Sequence, residues 1–411
     1  MKSPKIRFKG FDGDWEQRKL GEILIGLQNN TLSRADLSNE TGVAKNVHYG
    51  DVLIKFGEVL DVSKEKLPMI SDESILSKYK SSFLQNGDII IADTAEDSTV
   101  GKCSEIAGLN DEIVLSGLHT IPYRPIEKFA SGYLGYYLNS SAYHNQLIPL
   151  MQGIKVTSIS KSAMQDTDIV YPKSVEEQGK IGDYFQSLDN LITLHQKKCE
   201  QLTILKKYML QKMFPQNGSD KPEIRFDGFT DDWEQRKLGE VFQEYSEKNH
   251  PELPALTIIQ GGGTVLRDES DRNLQYDKSS LSGYKMVCED DFIVHLRSFE
   301  GGLEKSNHNG LISPAYHTFH GDNVDSRFYY PYFRSYEFIK HKLVPHVYGI
   351  RDGRSIDIDG MKTIEIPWTS YGEQKKIGDY IESLDHLITL HQNKCNELKE
   401  LKKFMLQNMF V

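Results

Sequence analysis

Two short segments that begin with glycine carry basic and hydroxyl side chains suited to contact nucleic acid. The first reads Gly153-Ile-Lys-Val-Thr-Ser-Ile159 and the second Gly349-Ile-Arg-Asp-Gly-Arg-Ser-Ile356. Lysine and arginine bind phosphate, and arginine also pairs with guanine. A glycine hinge would present these side chains at a surface, whereas a tight turn whose arginine and aspartate pair in water fits the same residues. The predicted contact residues are Gly153, Lys155, Thr157, Ser158, Gly349, Arg351, Arg354 and Ser355.

A third segment, Arg297-Ser-Phe-Glu-Gly-Gly302, follows a predicted strand and offers another arginine and another hydroxyl. We predict that Arg297 and Ser298 are additional DNA contacts. A plain glycine turn after the strand is the competing interpretation.

The sequence lacks the motifs of a nucleic-acid enzyme. It contains no Gly-x-x-x-x-Gly-Lys-Ser/Thr phosphate loop, no Asn/Asp-Pro-Pro-aromatic methylase motif and no Gly-x-Gly-x-x-Gly cofactor turn. The run Gly261-Gly-Gly263 is interpreted as a flexible turn rather than a phosphate cradle. The pair Asp290-Asp291 is interpreted as a solvated turn before a strand rather than a nuclease carboxylate pair. We therefore predict no catalytic residue in this chain.

Histidine and cysteine stand four residues apart in two places, His195 with Cys199 and His391 with Cys395. Two helices that brought these pairs together would form a Cys₂His₂ metal set. The same residues lie on an apolar seam, where cysteine behaves as a small hydrophobe and histidine can hydrogen-bond across the helix pair. We predict polar contacts that set the register of the seam, and no metal site.

These segments belong to a chain that contains its framework twice. Residues 4–22 return as 222–240, an offset of 218. Residues 177–214 return as 373–410, an offset of 196, and 22 of the 32 positions from Asp183 to Phe214 are identical in the second copy. The segments between the copies do not match, and the offsets differ by 22 residues. Such a chain is expected to meet one kind of partner twice and two different targets once each.

The second repeated block predicts a long helix in each copy. Apolar residues recur at steps of four and three, which is the seam of a coiled coil, and Pro215 ends the first helix. Tyr184, Leu191, Leu194 and Leu205 widen the first stripe, so each helix is expected to touch more than one neighbour. The predicted interface residues are Ile181, Phe185, Leu188, Ile192, His195, Cys199, Leu202, Ile377, Ile381, Leu384, Ile388, His391, Cys395 and Leu398.

We expect the two helices to pair in antiparallel orientation. Two like units in one chain associate most simply about a pseudo-twofold axis. A helix of some 35 residues is roughly 50 Å long, longer than one turn of duplex DNA at ~34–36 Å. In the alternative arrangement, each helix packs only on its own insert as an amphipathic surface helix.

The insert sequences predict mixed, strand-rich domains. The net charge of the chain is not typical of a DNA-binding protein. Short apolar runs such as residues 87–92 and 290–295 resemble buried strands, and Tyr-rich helical stretches interrupt them. The class is therefore α+β. The net charge of −10 argues mildly against DNA, because phosphate contacts come from lysine and arginine. A partner can supply that neutralisation and leave base reading to this chain.

The repeated framework resembles the specificity subunit of a type I restriction-modification system. The resemblance rests on Trp15-Glu-Gln-Arg-Lys-Leu-Gly-Glu22, a variable domain, an Ile-x-Ile-Pro strand and a Glu-Gln-x-Lys-Ile helix, all repeated once. It covers essentially the whole chain. In that family the inserts are target-recognition domains that each read one half of a split DNA sequence. The repeated helices form an antiparallel spacer that also docks two modification subunits.

The resemblance implies a fold, partners and cofactors. We expect two globular target-recognition domains separated by two long antiparallel coiled-coil helices in a pseudo-twofold repeat. The implied partners are double-stranded DNA, two methylase subunits and the restriction (motor) subunits, with adenine-N6 methyltransferase and ATP-dependent endonuclease activities in the complex. S-adenosylmethionine, ATP and magnesium would belong to those partners, with no cofactor in this chain. The alternatives are a coiled-coil protein-binding scaffold without DNA contact and a stand-alone nucleic-acid enzyme.

The repeats also predict domain boundaries and location. We place a repeated lead segment at residues 1–19, the first target-recognition domain at 20–173 and the first spacer helix at 174–215. A linker and second lead segment follow at 216–237, then the second domain at 238–369 and the second helix at 370–411. The polar start of the chain, the four scattered cysteines and the absence of an apolar run of ~18 residues predict a cytoplasmic protein without a membrane span.

The repeat further predicts how the first lead segment is held. If the two halves are equivalent, residues 4–22 lie against the end of the second helix. Phe8, Phe11 and Trp15 would then cover Met405 and Met409. A loose N-terminal tail is the alternative.

Overall fold

The computed structural model describes residues 3–216, 219–269, 278–349 and 354–411. The chain forms two compact units. The first comprises residues 1–196 and 393–411, and the second comprises residues 197–392. Each unit therefore joins one insert to the near half of one long helix and the far half of the other.

The first unit is built around a five-stranded sheet. Its strands, in spatial order, are Leu24–Gly26, Thr120–Pro125, Ile89–Ala92, Cys103–Ala107 and Val59–Asp61. All neighbours in this sheet are antiparallel except the last pair. A second sheet comprises Met69–Ile70, Ala44–Val47 and Val114–Ser116, and two strand pairs are Glu16–Lys19 with Asp168–Tyr171 and Thr94–Ala95 with Thr157–Ser158.

Short helices cover these strands. The α-helices are Leu20–Ile23, Tyr49–Ile54, Ser74–Lys78, Tyr133–Asn139, Ser141–His144 and Lys161–Gln165, and the 3₁₀ turns are Arg34–Asp36, Lys80–Ser82 and Ile148–Leu150. The central strand Ile89–Ala92 is buried at all four positions. Its run of β-branched isoleucines suits a strand covered on both faces.

The second unit has a smaller central sheet of the same design. In spatial order its strands are Gln243–Tyr245, His317–His320, Phe292–Val294 and Glu304–Lys305. Four strand pairs complete the sheet structure: Glu234–Lys237 with Glu365–Trp368, Leu256–Ile259 with Gly263–Leu266, Lys285–Val287 with Gly310–Ile312, and Val347–Tyr348 with Ser355–Ile356. The α-helices are Leu238–Val241, Ser298–Gly301, Ser326–Phe333 and Ile358–Lys362, with a π-helix at Glu337–Leu343 and 3₁₀ turns at Arg267–Glu269, Lys278–Gly283 and Val344–His346.

Two helices of 38 residues each, Val175–Lys212 and Tyr371–Asn408, carry the second repeated block. A serine precedes the first turn of each, and the hydroxyls of Ser174 and Ser370 accept a hydrogen bond from the N–H of Glu177 and Glu373. This is an N-cap interaction, which satisfies one of the free donors at the start of a helix.

The helices pack against each other in antiparallel orientation within each unit. In the first unit, Asp189 binds the ammonium of Lys402 at 2.6 Å, and Phe185 stacks on Phe410. In the second unit, the carboxylate of Asp385 binds Lys206 at 2.5 Å. From Asp189 to Lys206 the first helix advances, while its partner in the second helix moves back from Lys402 to Asp385. Antiparallel pairing is confirmed.

The predicted seam faces inward along most of its length. Its buried members are Ile181, Phe185, Leu188, Ile192, Leu202, Ile377, Ile381, Leu384, Cys395 and Leu398, and its partly exposed members are His195, Cys199, Ile388 and His391. The thiol of Cys199 donates to the side-chain oxygen of Gln392 at 3.5 Å. The middle of each helix is therefore the more polar and more open part of the seam.

The first lead segment lies against the end of the second helix, as predicted. The N–H of Ile6 donates to the carbonyl of Asn408 at 2.9 Å. The equivalent bond in the second unit, from Ile224 to Lys212, has the same length. Trp15 is buried in the same core cluster as Met409. The first lead segment is therefore not a loose tail.

The prediction for Phe11 was wrong in detail. The ring of Phe11 lies beneath the ammonium of Lys180, 4.7 Å from it, at the beginning of the first helix. Phe8 meets the ring of Tyr184 edge-on. The segment thus bridges the end of one helix and the start of the other, because the antiparallel arrangement brings those two ends together.

A buried Glu-Gln pair at the start of each helix holds the lead segment and the insert in place. In the first unit, Glu177 accepts two hydrogen bonds from Arg7, at 2.7 and 2.9 Å. The amide oxygen of Gln178 accepts from the backbone N–H of Ala130, and its NH₂ donates to the carbonyl of Pro172. In the second unit the same four contacts join Glu373 to Arg225, and Gln374 to the backbone of Asp325 and Thr369.

Candidate nucleic-acid interface

The first glycine-led segment is the tip of a tight hairpin. Gln152 and Ser158 exchange both backbone hydrogen bonds, at 2.9 and 2.8 Å, and so close a loop of residues 153–157. Gly153 has φ +116°, and a Cβ at this position would lie 2.0 Å from the carbonyl oxygen of Val156. The turn therefore requires glycine.

The side chains of this tip point into solvent. Lys155 and Ser158 are exposed and Thr157 is partly exposed. Ile154 and Val156, which are not among the predicted contact residues, are exposed as well. The tip consequently combines one cation, two hydroxyls and two apolar side chains, a set that can contact both phosphate and bases.

The hairpin is anchored on the end of the central sheet. Thr157–Ser158 pairs with Thr94–Ala95, and the N–H of Ile159 donates to the carbonyl of Asp93 at 2.9 Å. His119 lies beside this strand end in the left-handed backbone region, at φ +55°, with its ring 5.3 Å from Tyr49. A cleft of about 720 Å³ adjoins the hairpin. Its polar lining includes Gln28, Asn29, Ser81, Thr120 and Lys161.

The second glycine-led segment forms the corresponding hairpin of the second unit. Val347–Tyr348 pairs with Ser355–Ile356, and Gly349 has φ +89°. Ser355 is exposed. The predicted contact Arg351 lies outside the described residues. The two hairpins share a positive-φ glycine and a pairing serine although the inserts around them differ.

The structure brings this hairpin together with the third predicted segment. The guanidinium of Arg354 lies over the ring of Phe299, 4.3 Å from its centre, and binds Glu300 at 3.2 Å. Arg297 is exposed beside them. Ser298 is fully buried, and its hydroxyl accepts a hydrogen bond from the N–H of His295. Ser298 thus stabilises the turn, and Arg297 and Arg354 are the side chains presented to solvent.

The interpretation of Asp290-Asp291 as a solvated turn was wrong for Asp291. Asp291 is only 2% exposed and accepts hydrogen bonds from the hydroxyl of Tyr245 and from the N–H of Cys288. Its other oxygen binds the imidazole of His320 at 2.6 Å, and this hydrogen bond raises the pKa of His320. Asp88 occupies the same place in the first unit, where it binds Arg124 at 2.7 Å. A carboxylate before the central strand is therefore a structural element of both units.

The glycine run at residues 261–263 is a turn, as predicted, but it is not free. The N–H groups of Gly261 and Gly263 donate to Glu304, which is fully buried. The carboxylate also accepts from the hydroxyl of Tyr330 and binds Arg334. The N–H groups that could bind a phosphate are therefore already bound to this carboxylate, and the turn is held by the domain itself.

Several apolar side chains of the long helices remain exposed, and those that the repeat relates in pairs are grouped as two patches, one in each unit. Both patches combine residues from both helices, at a level fixed in each unit by the ion pairs Asp189–Lys402 and Lys206–Asp385. The first-unit patch comprises Leu191, Leu194, Leu401 and Phe404, and the second-unit patch comprises Leu387, Leu390, Leu205 and Tyr208. Every member has its counterpart at the offset of 196. Spacings of three and four residues place each pair on one side of its helix.

Neither a metal cluster nor a membrane span is found where the structure describes the chain. No group of three or more His, Cys, Asp or Glu side chains is arranged to hold a metal ion among residues 3–216, 219–269, 278–349 and 354–411. Within the same ranges, no helix has the length and apolar content needed to cross a bilayer.

Comparison with known proteins assigns the framework to a family. The family model of the type I restriction modification DNA specificity domain matches residues 12–203. Over 409 residues the chain is 24% identical to a putative type I restriction enzyme specificity subunit, MjaX, of Methanocaldococcus jannaschii, covering 95% of this chain and 91% of that protein. Residues 12–203 belong to the type I restriction modification DNA specificity domain family, and the whole chain is similar to specificity subunits of these systems.

Two further relatives agree with this assignment. The MjaVIII specificity subunit of the same organism is 24% identical over 271 residues, which cover 61% of this chain and 63% of the relative. The crystal structure of the type I restriction-modification S subunit from M. genitalium matches with a TM-score of 0.60 at 12% identity, and the match covers 100% of this chain and 99% of that one. This likeness confirms the fold. Specificity subunits are non-catalytic members of their systems.

Proposed function

We propose that this chain is a specificity subunit that recognises an asymmetric, bipartite DNA site, with each unit reading one half. The observation that carries the proposal is that the framework contacts are the same in both units, whereas the hairpins differ. The two units hold their inserts through the same Glu-Gln contacts, but the hairpins and sheet edges they present differ in length and side chains. One framework with two different reading surfaces suits a site with two unlike halves around an unspecified gap.

The presented side chains suggest different base contacts in the two halves. Lys155, Ser158 and Ser355 belong to the pattern that both hairpins share, whereas Thr157 and Val156 are presented by the first unit alone and Arg297 and Arg354 by the second alone. Arginine pairs in bidentate fashion with guanine in the major groove. Stacking on Phe299 orients the guanidinium of Arg354 before DNA arrives, which lowers the entropic cost of the contact.

The two helix patches support a stoichiometry of two identical partners. Four exposed apolar side chains in each unit, related pairwise by the repeat, provide the same docking surface twice. We propose that each patch binds one methylase subunit, and that restriction (motor) subunits complete the complex. The adenine-N6 methyltransferase and ATP-dependent endonuclease activities, with S-adenosylmethionine, ATP and magnesium, then reside in these partners.

The assignment of reading to this chain and chemistry to its partners is consistent with its charge. A net charge of −10 leaves most phosphate neutralisation to other subunits. The two long helices, of 38 residues each, would then set the gap between the half-sites. We place the assembled complex in the cytoplasm, where its DNA target is.

The proposal is tested by exchanging one insert. The chain is co-expressed with its methylase subunit, and the methylated motif is determined by methylome sequencing. Replacing residues 20–172 by the corresponding insert of a related specificity subunit should change one half of the motif and leave the other half and the gap unchanged. A change in both halves would contradict the assignment of one half to each unit.

Two controls separate the alternative functions. A methylase that assembles with this chain but shows no sequence preference would indicate a protein-binding scaffold. Cleavage or modification of DNA by the purified chain alone would indicate a stand-alone enzyme. A motif that depends on this chain and appears only with the methylase present supports the proposed role.

A further inference from the structure

The hairpin tip of the first unit presents an isoleucine with no protein neighbour to cover it. Ile154 is 101% exposed, and Val156, two residues further on, is 54% exposed. Single apolar residues on a surface are ordinary. The position of this one is informative because it lies in the closed tip of a hairpin, beside the predicted DNA contacts Lys155 and Thr157.

The tip is a constrained turn. Two backbone hydrogen bonds between Gln152 and Ser158 close it, and a Cβ on Gly153 would lie only 2.0 Å from the carbonyl oxygen of Val156. Thr157–Ser158 at the base of the hairpin pairs with Thr94–Ala95, which follows the central strand Ile89–Ala92 in the chain. Ile154 is thus held at a defined place, and its contact with a ligand requires little ordering.

The sequence of the tip is repeated in the second insert. Gly153-Ile-Lys corresponds to Gly349-Ile-Arg, and Ser158-Ile corresponds to Ser355-Ile. Most of the remaining insert sequence is unlike. Side chains that are common to two domains with different targets cannot be the ones that distinguish those targets. They must contact something that every duplex offers, which is the base stack and the phosphate backbone.

We propose that Ile154 is an apolar wedge that enters the base stack of bound duplex DNA while Lys155 contacts an adjacent phosphate. Apolar side chains inserted at a base step unstack it and bend the duplex, at a free-energy cost that the added contacts offset. The tip then supplies affinity and DNA distortion, and the choice of sequence is left to other residues. This inference rests on the proposed recognition of DNA by the first unit.

The test uses the full chain assembled with its methylase subunit and duplexes that carry the motif found by methylome sequencing. 2-Aminopurine is placed in turn at each position in and beside the half-site read by the first unit, because its fluorescence rises when it is unstacked. We expect wild type to raise the fluorescence at one base step. Ile154→Ala should abolish this rise and weaken binding at least about fivefold for matched and mismatched duplexes alike.

Matched variants complete the design. Ile126→Ala truncates an isoleucine that is also exposed but lies just beyond Pro125, at the opposite end of the strand from Thr120, and it should behave as wild type. Lys155→Ala should reduce the salt dependence of binding by about one phosphate contact. Thermal unfolding of Ile154→Ala should match wild type, since the removed side chain is fully exposed.

The outcomes are distinguishable. Unchanged fluorescence and affinity in Ile154→Ala would overturn the wedge, and so would a changed base preference at one position, which would make Ile154 a base reader. If the wild-type complex did not prefer the matched duplex at all, the proposed function itself would fail. Loss of affinity and fluorescence with an unchanged motif supports the inference.

Discussion

The two lead segments differ in one hydrogen bond, and this difference predicts unequal effects of the same substitution. Trp15 and Trp233 are equivalent residues, and each is 3% exposed. The indole N–H of Trp233 donates to the carboxylate of Glu373 at 3.2 Å. The indole N–H of Trp15 is buried without a hydrogen-bond partner. Trp→Phe removes the N–H from both positions, but only one position loses a bond.

The expected magnitudes follow from burial and hydrogen bonding. Smaller rings lose apolar contacts in both units, at a cost of roughly 1–2 kcal/mol. Trp233→Phe also loses a hydrogen bond to a charged group, about 1.5–3 kcal/mol. Trp15→Phe removes an unsatisfied donor whose burial costs about 1–3 kcal/mol, which offsets the lost contacts. Trp15→Phe should therefore be close to neutral, and Trp233→Phe should be clearly destabilising.

The measurement must report each unit separately, because a chain with two units does not unfold in one step. Hydrogen exchange followed by mass spectrometry meets this need, with peptides that cover Asp168–Tyr171 for the first unit and Glu365–Trp368 for the second. We expect Trp233→Phe to raise the opening equilibrium of its unit at least tenfold more than Trp15→Phe does.

Control variants test whether the difference comes from the hydrogen bond. Trp15→Ala and Trp233→Ala remove the whole ring and should each destabilise their unit by roughly 3–5 kcal/mol. Equal effects of the two Trp→Phe substitutions, or a larger effect at Trp15, would refute the argument from the unpaired N–H.

Three further predictions concern the helices and the second unit. Insertion of four residues after Gln201, about 6 Å of helix, should lengthen the gap in the methylated motif and leave the bases unchanged, as read by methylome sequencing. His320→Arg should remove a pH dependence of the stability of the second unit. The hydrogen bond to Asp291 raises the pKa of the His320 imidazole. The stabilisation from this bond is therefore present below the ordinary histidine pKa of about 6.5 and is lost as pH rises through the pKa of the folded state. Leu194→Glu or Leu390→Glu should each reduce the number of bound methylase subunits from two to one, as measured by native mass spectrometry, and the double variant should bind none.

Each of these predictions has a contradicting result. A fixed gap with altered base preference would exclude the helices as the element that sets the spacing. The effect of His320 on stability is expected to be small, because its side chain is half exposed. If wild type and His320→Arg lost stability in parallel between pH 6 and pH 9, the predicted pH dependence would be refuted. Retention of two methylase subunits by the double patch variant would exclude these patches as the docking surface.

The repeat and the seam pattern predicted the long-range organisation well. Offsets of 218 and 196 were sufficient to predict that the first lead segment meets the end of the second helix, which the bond from Ile6 to Asn408 confirms. A strict pattern of apolar residues likewise predicted that the helices pair, and the repeat predicted their antiparallel orientation. Many residues encode each of these features together, so the prediction remains correct even when the environment of a single residue is predicted wrongly.

Single-residue environments were less predictable because they depend on partners distant in sequence. Asp291 was expected in solvent, but Tyr245 and His320 from neighbouring strands enclose it. Ser298 was expected to face DNA, but it turns inward to cap its own loop. Ile154 was not selected, since nothing in its sequence marks it as exposed. The contact between Arg354 and Phe299 joins two segments that no periodicity connects.

The Glu-Gln pairs have a consequence for how such proteins change over evolution. Gln178 and Gln374 bind the inserts only through backbone N–H and carbonyl groups, those of Ala130 and Pro172 in one unit and of Asp325 and Thr369 in the other. Backbone groups are the same whatever side chains they bear. An insert whose main chain follows this path keeps these contacts whatever its side chains are, so the exchange of an insert by recombination leaves this part of the scaffold unaltered.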